Sequence, residues 1–201
     1  ITPNEFNIAI EEFADMPPLT WDRSIQLDDG FQKMPGDWRP NNRFDSIWLS
    51  LPAEIKKTGS IPGIWLAPSA IFERWPKLNQ YDDALQKLPN GRYAVSFCNW
   101  GWSDNKNWYW GDTTGKTYFL DPDHPKSIKL MTEILKQVKL QGWKYYKFDF
   151  TYALSTARNA YDKKKTRFQT LSDLYTLFRT ELGNDVMINA CIGEPGRYAL
   201  G

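Results

Sequence analysis

Apolar residues recur at helical spacing in four segments of the chain, and capping residues mark several of the segment ends. Thr2, Pro3 and Glu5 have the spacing of a capping box with proline in the first turn, which predicts that a helix begins there. In the other three segments apolar residues lie three or four positions apart, and a glycine follows the last of them. The predicted helices cover residues 3–14, 44–58, 125–141 and 168–182.

Short apolar segments rich in β-branched and aromatic residues alternate with these helices. They cover residues 24–27, 61–68, 143–150 and 185–192, and polar or glycine-rich residues follow them. Strands that alternate with helices predict a parallel sheet in an α/β protein. Polar residues at the carboxyl ends of such strands are typical of a (β/α)8 barrel. Because a complete barrel has eight strands, the pattern predicts a partial (β/α)8 barrel of about four βα units.

Residues 69–123 interrupt this alternation. They lack a long helical period and contain Trp100, Trp102, Trp108 and Trp110 among Asn, Asp and Gly residues. An excursion of about 50 residues inside a compact domain is usually functional. We predict an insertion in one βα loop, with residues 97–118 over the carboxyl ends of the strands. The tryptophans either line sugar subsites there or pack the insertion on itself.

The composition of the 201-residue chain fits one domain, residues 1–201, and narrows the function classes. With 25 Lys+Arg and 24 Asp+Glu the net charge is +1, which lacks the basic excess of a nucleic-acid-binding protein. No apolar run approaches the ~20 residues of a membrane-spanning helix, and no glycine-rich phosphate-binding motif follows a strand. Two cysteines and one histidine argue against a His/Cys metal site. Aromatic residues make up 15% of the chain and indicate, weakly, a sugar ligand.

The strand 143–150 carries a candidate reactive group. Strand alternation places Lys147 and Asp149 together with Tyr145 on one face and leaves aromatic side chains on the other. The aromatic face suits packing against helices. A lysine beside an aspartate favours the ionised carboxylate, which is the form of a nucleophile that attacks an anomeric carbon. The alternative is an ordinary Lys–Asp pair at the end of a strand.

Polar and aromatic residues at the other strand ends are weaker candidates when taken singly. Asp28 and Asp29 could accept hydrogen bonds from neighbouring sugar hydroxyls, or could form an ordinary Asp-Asp-Gly turn. Trp65 could be a sugar platform or a core residue. Cys191 lies at the end of the last predicted strand, and His124 at the start of a helix is interpreted as a structural residue.

Taken together, these segments resemble the α-galactosidases of glycoside hydrolase family 36, which share a clan with family 27. The resemblance extends from about residue 21 to residue 201 in consistent order. It rests on the motifs IQLDDGFQ with GDWRPN, GIWLAP, YFLDPDHP, GWKYYKFDF and ACIGEPGR.

The resemblance implies roles for individual residues. Asp149 matches the catalytic nucleophile, and Lys147 matches a ligand of a sugar hydroxyl. Asp28 and Asp29 match the pair that holds the O4 and O6 hydroxyls of galactose. Trp65 matches a hydrophobic wall of the −1 subsite.

The remaining implied binding residues lie near the end of the chain. Cys191 and Gly193 match the segment around the 2-substituent of the sugar, and Arg197 in the same segment is also assigned to substrate binding. By the same resemblance the general acid/base aspartate would follow Gly201, and the first barrel strand would precede Ile1. We expect the strands that complete the barrel to come from further residues, a second chain or a symmetric copy.

The predicted function is that of a retaining α-galactosidase-like glycoside hydrolase that uses an aspartate nucleophile and acts on small or oligosaccharide α-galactosides. The resemblance implies no metal or organic cofactor, and we expect no nucleic-acid or membrane partner. The alternatives are a non-catalytic galactoside-binding domain and a transglycosylase on the same scaffold. We expect the 201-residue chain alone to be inactive.

Overall fold

The computed structural model describes residues 2–16, 23–96, 100–101, 109–110, 116–151 and 160–191. It contains four α-helices, α1 (Pro3–Ala14), α2 (Leu51–Lys57), α3 (Pro125–Lys139) and α4 (Arg167–Leu182), and a 3-10 helix over Leu78–Ala84. The strands in these ranges are β1 (Ser24–Leu27), β2 (Gln32–Met34), β3 (Asp37–Pro40), β4 (Ile61–Leu66), β5 (Ala70–Phe72), β6 (Val95–Ser96), β7 (Trp100–Gly101), β8 (Tyr109–Trp110), β9 (Thr117–Phe119), β10 (Tyr145–Phe148) and β11 (Met187–Ala190). None of the helices in the described part of the chain is both long and apolar enough to cross a membrane.

The central sheet has the strand order β1-β4-β10-β11, and all its neighbouring strands are parallel. These are the four strands that the sequence predicts. Strands that neighbour each other in chain order are typical of a (β/α)8 barrel, whereas a doubly wound sheet reverses its order at a switch point. The prediction of an α/β protein with a parallel sheet is confirmed, and its topology is consistent with part of a barrel.

One face of the central sheet packs against helices. Tyr146 and Phe148 are fully buried there, and the ring of Phe148 stacks on Phe178 of α4 at 4.1 Å between centroids. α3 packs against α4, and α2 packs against β4. The aromatic face of β10 therefore has the role that strand alternation predicts. The opposite face carries the polar side chains of β1, β10 and β11.

Capping residues fix the ends of three helices. Thr2 with Glu5 and Thr166 with Gln169 form complete capping boxes at the starts of α1 and α4. His124 caps α3, because its Nδ1 accepts a hydrogen bond from the N–H of Lys126 at 3.2 Å. This contact agrees with the structural role assigned to His124 from the sequence.

The second helix is shorter than predicted. The sequence predicts a helix over 44–58, but residues 42–50 form turns and α2 begins at Leu51. Pro52 explains the difference, since proline lacks an N–H and is tolerated in the first turn of a helix but not in its interior.

The described parts of 69–123 form small antiparallel sheets. Strands β5, β9 and β6 make one sheet, and β7 pairs with β8. Residues 97–99, 102–108 and 111–115 lie outside the described ranges. The predicted placement of the Trp-rich stretch over the strand ends therefore stays a prediction.

Candidate active site

The register of the central sheet brings several predicted site residues to one edge. Trp65 is opposite Lys147, and Asp28 follows Leu27, which is opposite Ile64. Asp28, Trp65 and Lys147 therefore occupy one level of the sheet, and alternation turns their side chains to the same face. Lys147 is opposite Asn189 in the register. Asp149 comes two positions after Lys147, and Cys191 comes two positions after Asn189, so both lie on the same face, further along the chain.

Asp149 lies immediately after β10 and is held by N–H donors. Its Oδ2 accepts a hydrogen bond from Nε1 of Trp65 at 3.0 Å, and its Oδ1 accepts one from the N–H of Phe150 at 2.8 Å. Its own N–H donates to the carbonyl oxygen of Leu66 at 2.9 Å. Only 8% of Asp149 is exposed. This carboxylate is thus fixed in orientation by two donors, one of which belongs to another strand.

The backbone at Phe150 contributes to this arrangement. Phe150 has φ 59, in the left-handed region, and is buried. A bulky residue in this region costs roughly 1–3 kcal/mol, and surrounding packing must maintain it. The chain thus turns sharply directly after Asp149, and the N–H of Phe150 donates to the carboxylate of that residue.

Lys147 pairs with Asp28 instead of its strand neighbour Asp149. Its Nζ donates to Oδ2 of Asp28 at 2.8 Å, although 119 residues separate the two. Burial lowers the pKa of Lys147, but the hydrogen bond and charge of Asp28 outweigh burial, and the pKa is raised. The charges of Cys191 and Asp149 act in the same direction. One strand, β4, lies between β1 and β10, which are therefore roughly 10 Å apart, and the long lysine side chain crosses β4 to reach Asp28.

Asp29 is the most perturbed carboxyl group of the site. Its Oδ1 accepts a hydrogen bond from Nε2 of Gln32 at 2.7 Å. Burial, and after it the neighbouring charge of Asp28, raises the pKa of Asp29 to about 7, although Gln32 acts in the opposite direction. Asp29 can therefore change its protonation state near neutral pH. Perturbed carboxyl groups of this kind are enriched at functional sites.

Trp65 combines a buried ring with a hydrogen-bond donor to Asp149. It is 1% exposed, and its ring contacts that of Trp38 at 5.6 Å between centroids. From the sequence, Trp65 is either a sugar platform or a core residue. The structure gives it a packed ring and a polar contact with Asp149.

Tyr175 on α4 belongs to the same neighbourhood and was not identified from the sequence. Its hydroxyl lies 3.1 Å from Oγ1 of Thr151. Burial raises the pKa of Tyr175, the Thr151 hydrogen bond lowers it, and Cys191 and Asp149 raise it further. In the sequence Tyr175 has the spacing of an apolar helical face, so only its hydroxyl distinguishes it from a core residue.

Of the three binding residues predicted near the end of the chain, Cys191 lies within the described residues. Cys191 is partly buried after β11, and its N–H donates to the carbonyl oxygen of Phe148 at 2.8 Å. Gly193 and Arg197, both predicted to bind substrate, lie outside the described residues. Within the described ranges, no group of three or more His, Cys, Asp or Glu side chains could hold a metal ion.

Acidic residues of the YFLDPDHP motif serve the local fold. Asp121 accepts hydrogen bonds from the N–H groups of Asp123 and Tyr161 at 3.0 Å each. Asp123 accepts one from the hydroxyl of Thr170 at 2.8 Å and pairs with Lys165 at 3.2 Å. These buried carboxylates join the start of α3 to the segment before α4.

Comparison with known proteins identifies the fold of this chain. No protein-family model matches the sequence. An α-galactosidase from Thermus thermophilus in complex with p-nitrophenyl α-D-galactopyranoside aligns with a TM-score of 0.71 and 21% identity, over 94% of this chain and 35% of that one. A family 36 α-galactosidase from Geobacillus stearothermophilus in complex with raffinose aligns with a TM-score of 0.57 and 16% identity, over 92% of this chain and 25% of that one.

A third solved structure agrees with these two. The α-galactosidase from Lactobacillus brevis aligns with a TM-score of 0.54 and 17% identity, over 90% of this chain and 23% of that one. The chain thus has a glycoside-hydrolase-like fold. The resemblance to family 36 α-galactosidases that the motifs predict is confirmed at the level of the fold. The chain spans 35% of the length of the Thermus enzyme, so it corresponds to about a third of that protein.

Proposed function

We propose that this chain supplies the nucleophile and the −1 subsite of a retaining α-galactosidase. The observation that carries the proposal is the carboxylate of Asp149. It lies at the carboxyl end of a parallel strand, where barrel enzymes place their catalytic groups, and N–H donors hold both of its oxygens. A carboxylate that must attack one carbon atom needs such a fixed orientation.

In the proposed reaction Asp149 attacks the anomeric carbon and forms a covalent glycosyl ester, while the leaving oxygen takes a proton. Water then cleaves the ester, so the configuration at the anomeric carbon is retained. A second carboxyl group, about 5–5.5 Å from the nucleophile, gives the proton in the first step and removes one from water in the second. By the resemblance to family 36, that group is a second aspartate.

The residues around Asp149 have proposed roles in binding. Asp28 and Asp29 accept hydrogen bonds from the O4 and O6 hydroxyls of the galactose ring. Lys147 donates to a hydroxyl from its position beside Asp28, and Trp65 forms the apolar wall. Cys191, Gly193 and Arg197 lie around the 2-substituent.

The fold relatives support α-galactosides as the substrate class. The Thermus enzyme has been solved in complex with stachyose as well as with the nitrophenyl galactoside, and the Geobacillus enzyme with raffinose. Small and oligosaccharide α-galactosides are therefore the first substrates to test.

The test is hydrolysis of p-nitrophenyl α-galactopyranoside by the full-length protein and by Asp149→Ala. We expect turnover in the wild type and loss of at least a thousandfold in the variant, with partial recovery of nitrophenol release in added azide. Azide replaces the missing carboxylate and yields a galactosyl azide of inverted configuration. Binding of galactose without any turnover would instead favour a non-catalytic galactoside-binding domain. Transfer of galactose to added sugars in preference to water would favour a transglycosylase.

A further inference from the structure

The side chain of Gln26 forms a hydrogen bond with Asp28, one of the two proposed sugar-binding aspartates. It lies on β1 two residues before Asp28, and therefore on the same face. Its Nε2 donates to Oδ2 of Asp28 at 2.5 Å, and the same oxygen accepts from Nζ of Lys147 at 2.8 Å. Since the carboxylate can only accept, its charge selects the NH2 end of the amide. Nothing in the sequence pattern distinguishes Gln26 from other polar strand residues.

The acceptor capacity of Asp28 is nearly used up by these contacts. A carboxylate offers about four lone-pair positions, two on each oxygen. Gln26 and Lys147 occupy both positions on Oδ2, and the N–H of Asp29 donates to Oδ1 at 2.8 Å. Within the described residues, one position remains on Oδ1. Asp28 can therefore accept one further hydrogen bond, from a single direction.

Asp29 differs from Asp28 in this respect. Among the described residues, the side-chain donor to Asp29 is Gln32, which bonds to Oδ1. The N–H of Gly30 also forms a hydrogen bond with this carboxyl group, so within the described residues about two of its four acceptor positions remain for a ligand. The two neighbouring aspartates thus offer unequal numbers of acceptor positions, and Gln26 is one cause of the difference.

We propose that Gln26 is a positioning residue that commits Asp28 to one ligand hydroxyl through Oδ1. The proposal rests on the proposed function of this site. Without the amide of Gln26, Oδ2 regains an open acceptor position, and Lys147 becomes the remaining side-chain donor that restrains the carboxylate. A hydroxyl then binds Asp28 in more than one arrangement.

The consequence for kinetics is specific. The proposal assigns to Asp28 a hydroxyl that is held equally in the substrate complex and in the transition state, which is uniform binding. Loss of its fixed partner therefore raises KM and leaves kcat nearly unchanged. Gln26 is partly buried, and the core residues of β1 are its neighbours Ile25 and Leu27, so removal of the amide leaves the core packing intact.

The kinetic experiment uses the full-length protein with p-nitrophenyl α-galactopyranoside. Gln26→Met keeps the length of the side chain and removes the donor. We expect a rise in KM of about tenfold with kcat within about threefold of wild type. Gln137→Met is the matched control, because Gln137 is exposed on α3, and it should change neither constant.

A double-mutant cycle separates positioning of Asp28 from an unrelated structural role. In the Asp28→Asn background, Gln26→Met should change KM by less than about twofold, because the group on which it acts has already been altered. Independent, multiplicative effects of the two substitutions would overturn the proposal. A tenfold loss of kcat at unchanged KM would also overturn it.

A second readout does not depend on turnover. In protein labelled with ¹⁵N-glutamine, the side-chain amide signal of Gln26 is identified by its absence from Gln26→Met. We expect Asp28→Asn to shift this signal, and Gln137→Met to leave it in place. If the wild type neither binds nor hydrolyses galactosides, the proposed function fails, while this signal still decides whether Gln26 holds Asp28. An unshifted signal in Asp28→Asn would overturn the positioning role.

Discussion

Replacing Asp29 with asparagine is expected to stabilise the fold above neutral pH. Burial and the charge of Asp28 raise the pKa of Asp29 to about 7 from 3.8, because both disfavour the ionised form. A carboxyl group whose pKa is higher in the folded than in the unfolded protein binds its proton more tightly when folded. The free energy of unfolding therefore falls as pH rises between about 4 and about 7, and the full loss is present above pH 7.

The size of this effect follows from the shift in pKa. About three pKa units at roughly 1.4 kcal/mol per unit give a loss on the order of 4 kcal/mol. Asparagine has nearly the same shape and no titrating group, so Asp29→Asn lacks this loss. Its side-chain oxygen can still accept the hydrogen bond that Gln32 donates to Asp29. The variant should also bind galactose less tightly, since the proposed acceptor for a sugar hydroxyl is weakened.

The assay is urea unfolding of wild type and variant at pH 4.5 and pH 8, followed by tryptophan fluorescence. The stability advantage of Asp29→Asn should grow by about 3 kcal/mol between the two pH values, because roughly 1 kcal/mol of the loss is already present at pH 4.5. Asp37→Asn is the control of opposite sign, because hydrogen bonds from Arg39 outweigh the effect of burial and lower the pKa of Asp37. An advantage of Asp29→Asn that is equal at both pH values would refute the reasoning.

Three further substitutions test other parts of the structure. Trp65→Phe keeps an aromatic side chain, though a smaller one, and removes the N–H that holds Asp149, so kcat should fall about 10- to 100-fold while the circular dichroism spectrum is retained. An unchanged kcat would contradict the role of this contact. Gly63→Ala should lower the free energy of unfolding by about 1–3 kcal/mol in urea titrations, because a Cβ there would lie 2.5 Å from Cδ1 of Tyr145. A variant as stable as wild type would show that the ring can move aside. Thr166→Ala removes the cap of α4 and should cost about 1 kcal/mol in the same titrations, and a loss below the error of the measurement would argue against the capping box.

The elements of the central sheet could be predicted because their causes are local. Apolar alternation, glycines and capping residues all lie within a few positions of the strands and helices that they define. The capping box at Thr2 and the cap at His124 are examples. The start of α2 was mispredicted because two local signals compete: the apolar spacing continues before Leu51, whereas Pro52 fixes the first turn.

The contacts of the candidate site could be predicted only in part. The sequence places Lys147 and Asp149 on one face of β10, but the partner of Lys147 depends on the pairing of β1 with β4 and of β4 with β10. The donor from Trp65 to Asp149 depends on the same register. Gln26 gives no signal of its own, because a glutamine within a short strand resembles any polar residue on an exposed face.

Trapping of the glycosyl-enzyme intermediate tests the central claim most directly. The full-length protein is incubated with a fluorinated α-galactosyl fluoride, whose ring fluorine slows hydrolysis of the ester, and is then digested and analysed by mass spectrometry. The account predicts one fluorogalactosyl ester, on the carboxylate of Asp149, and no such adduct in Asp149→Asn. An adduct on another carboxylate, or rapid turnover of α-galactosides by Asp149→Asn, would contradict it.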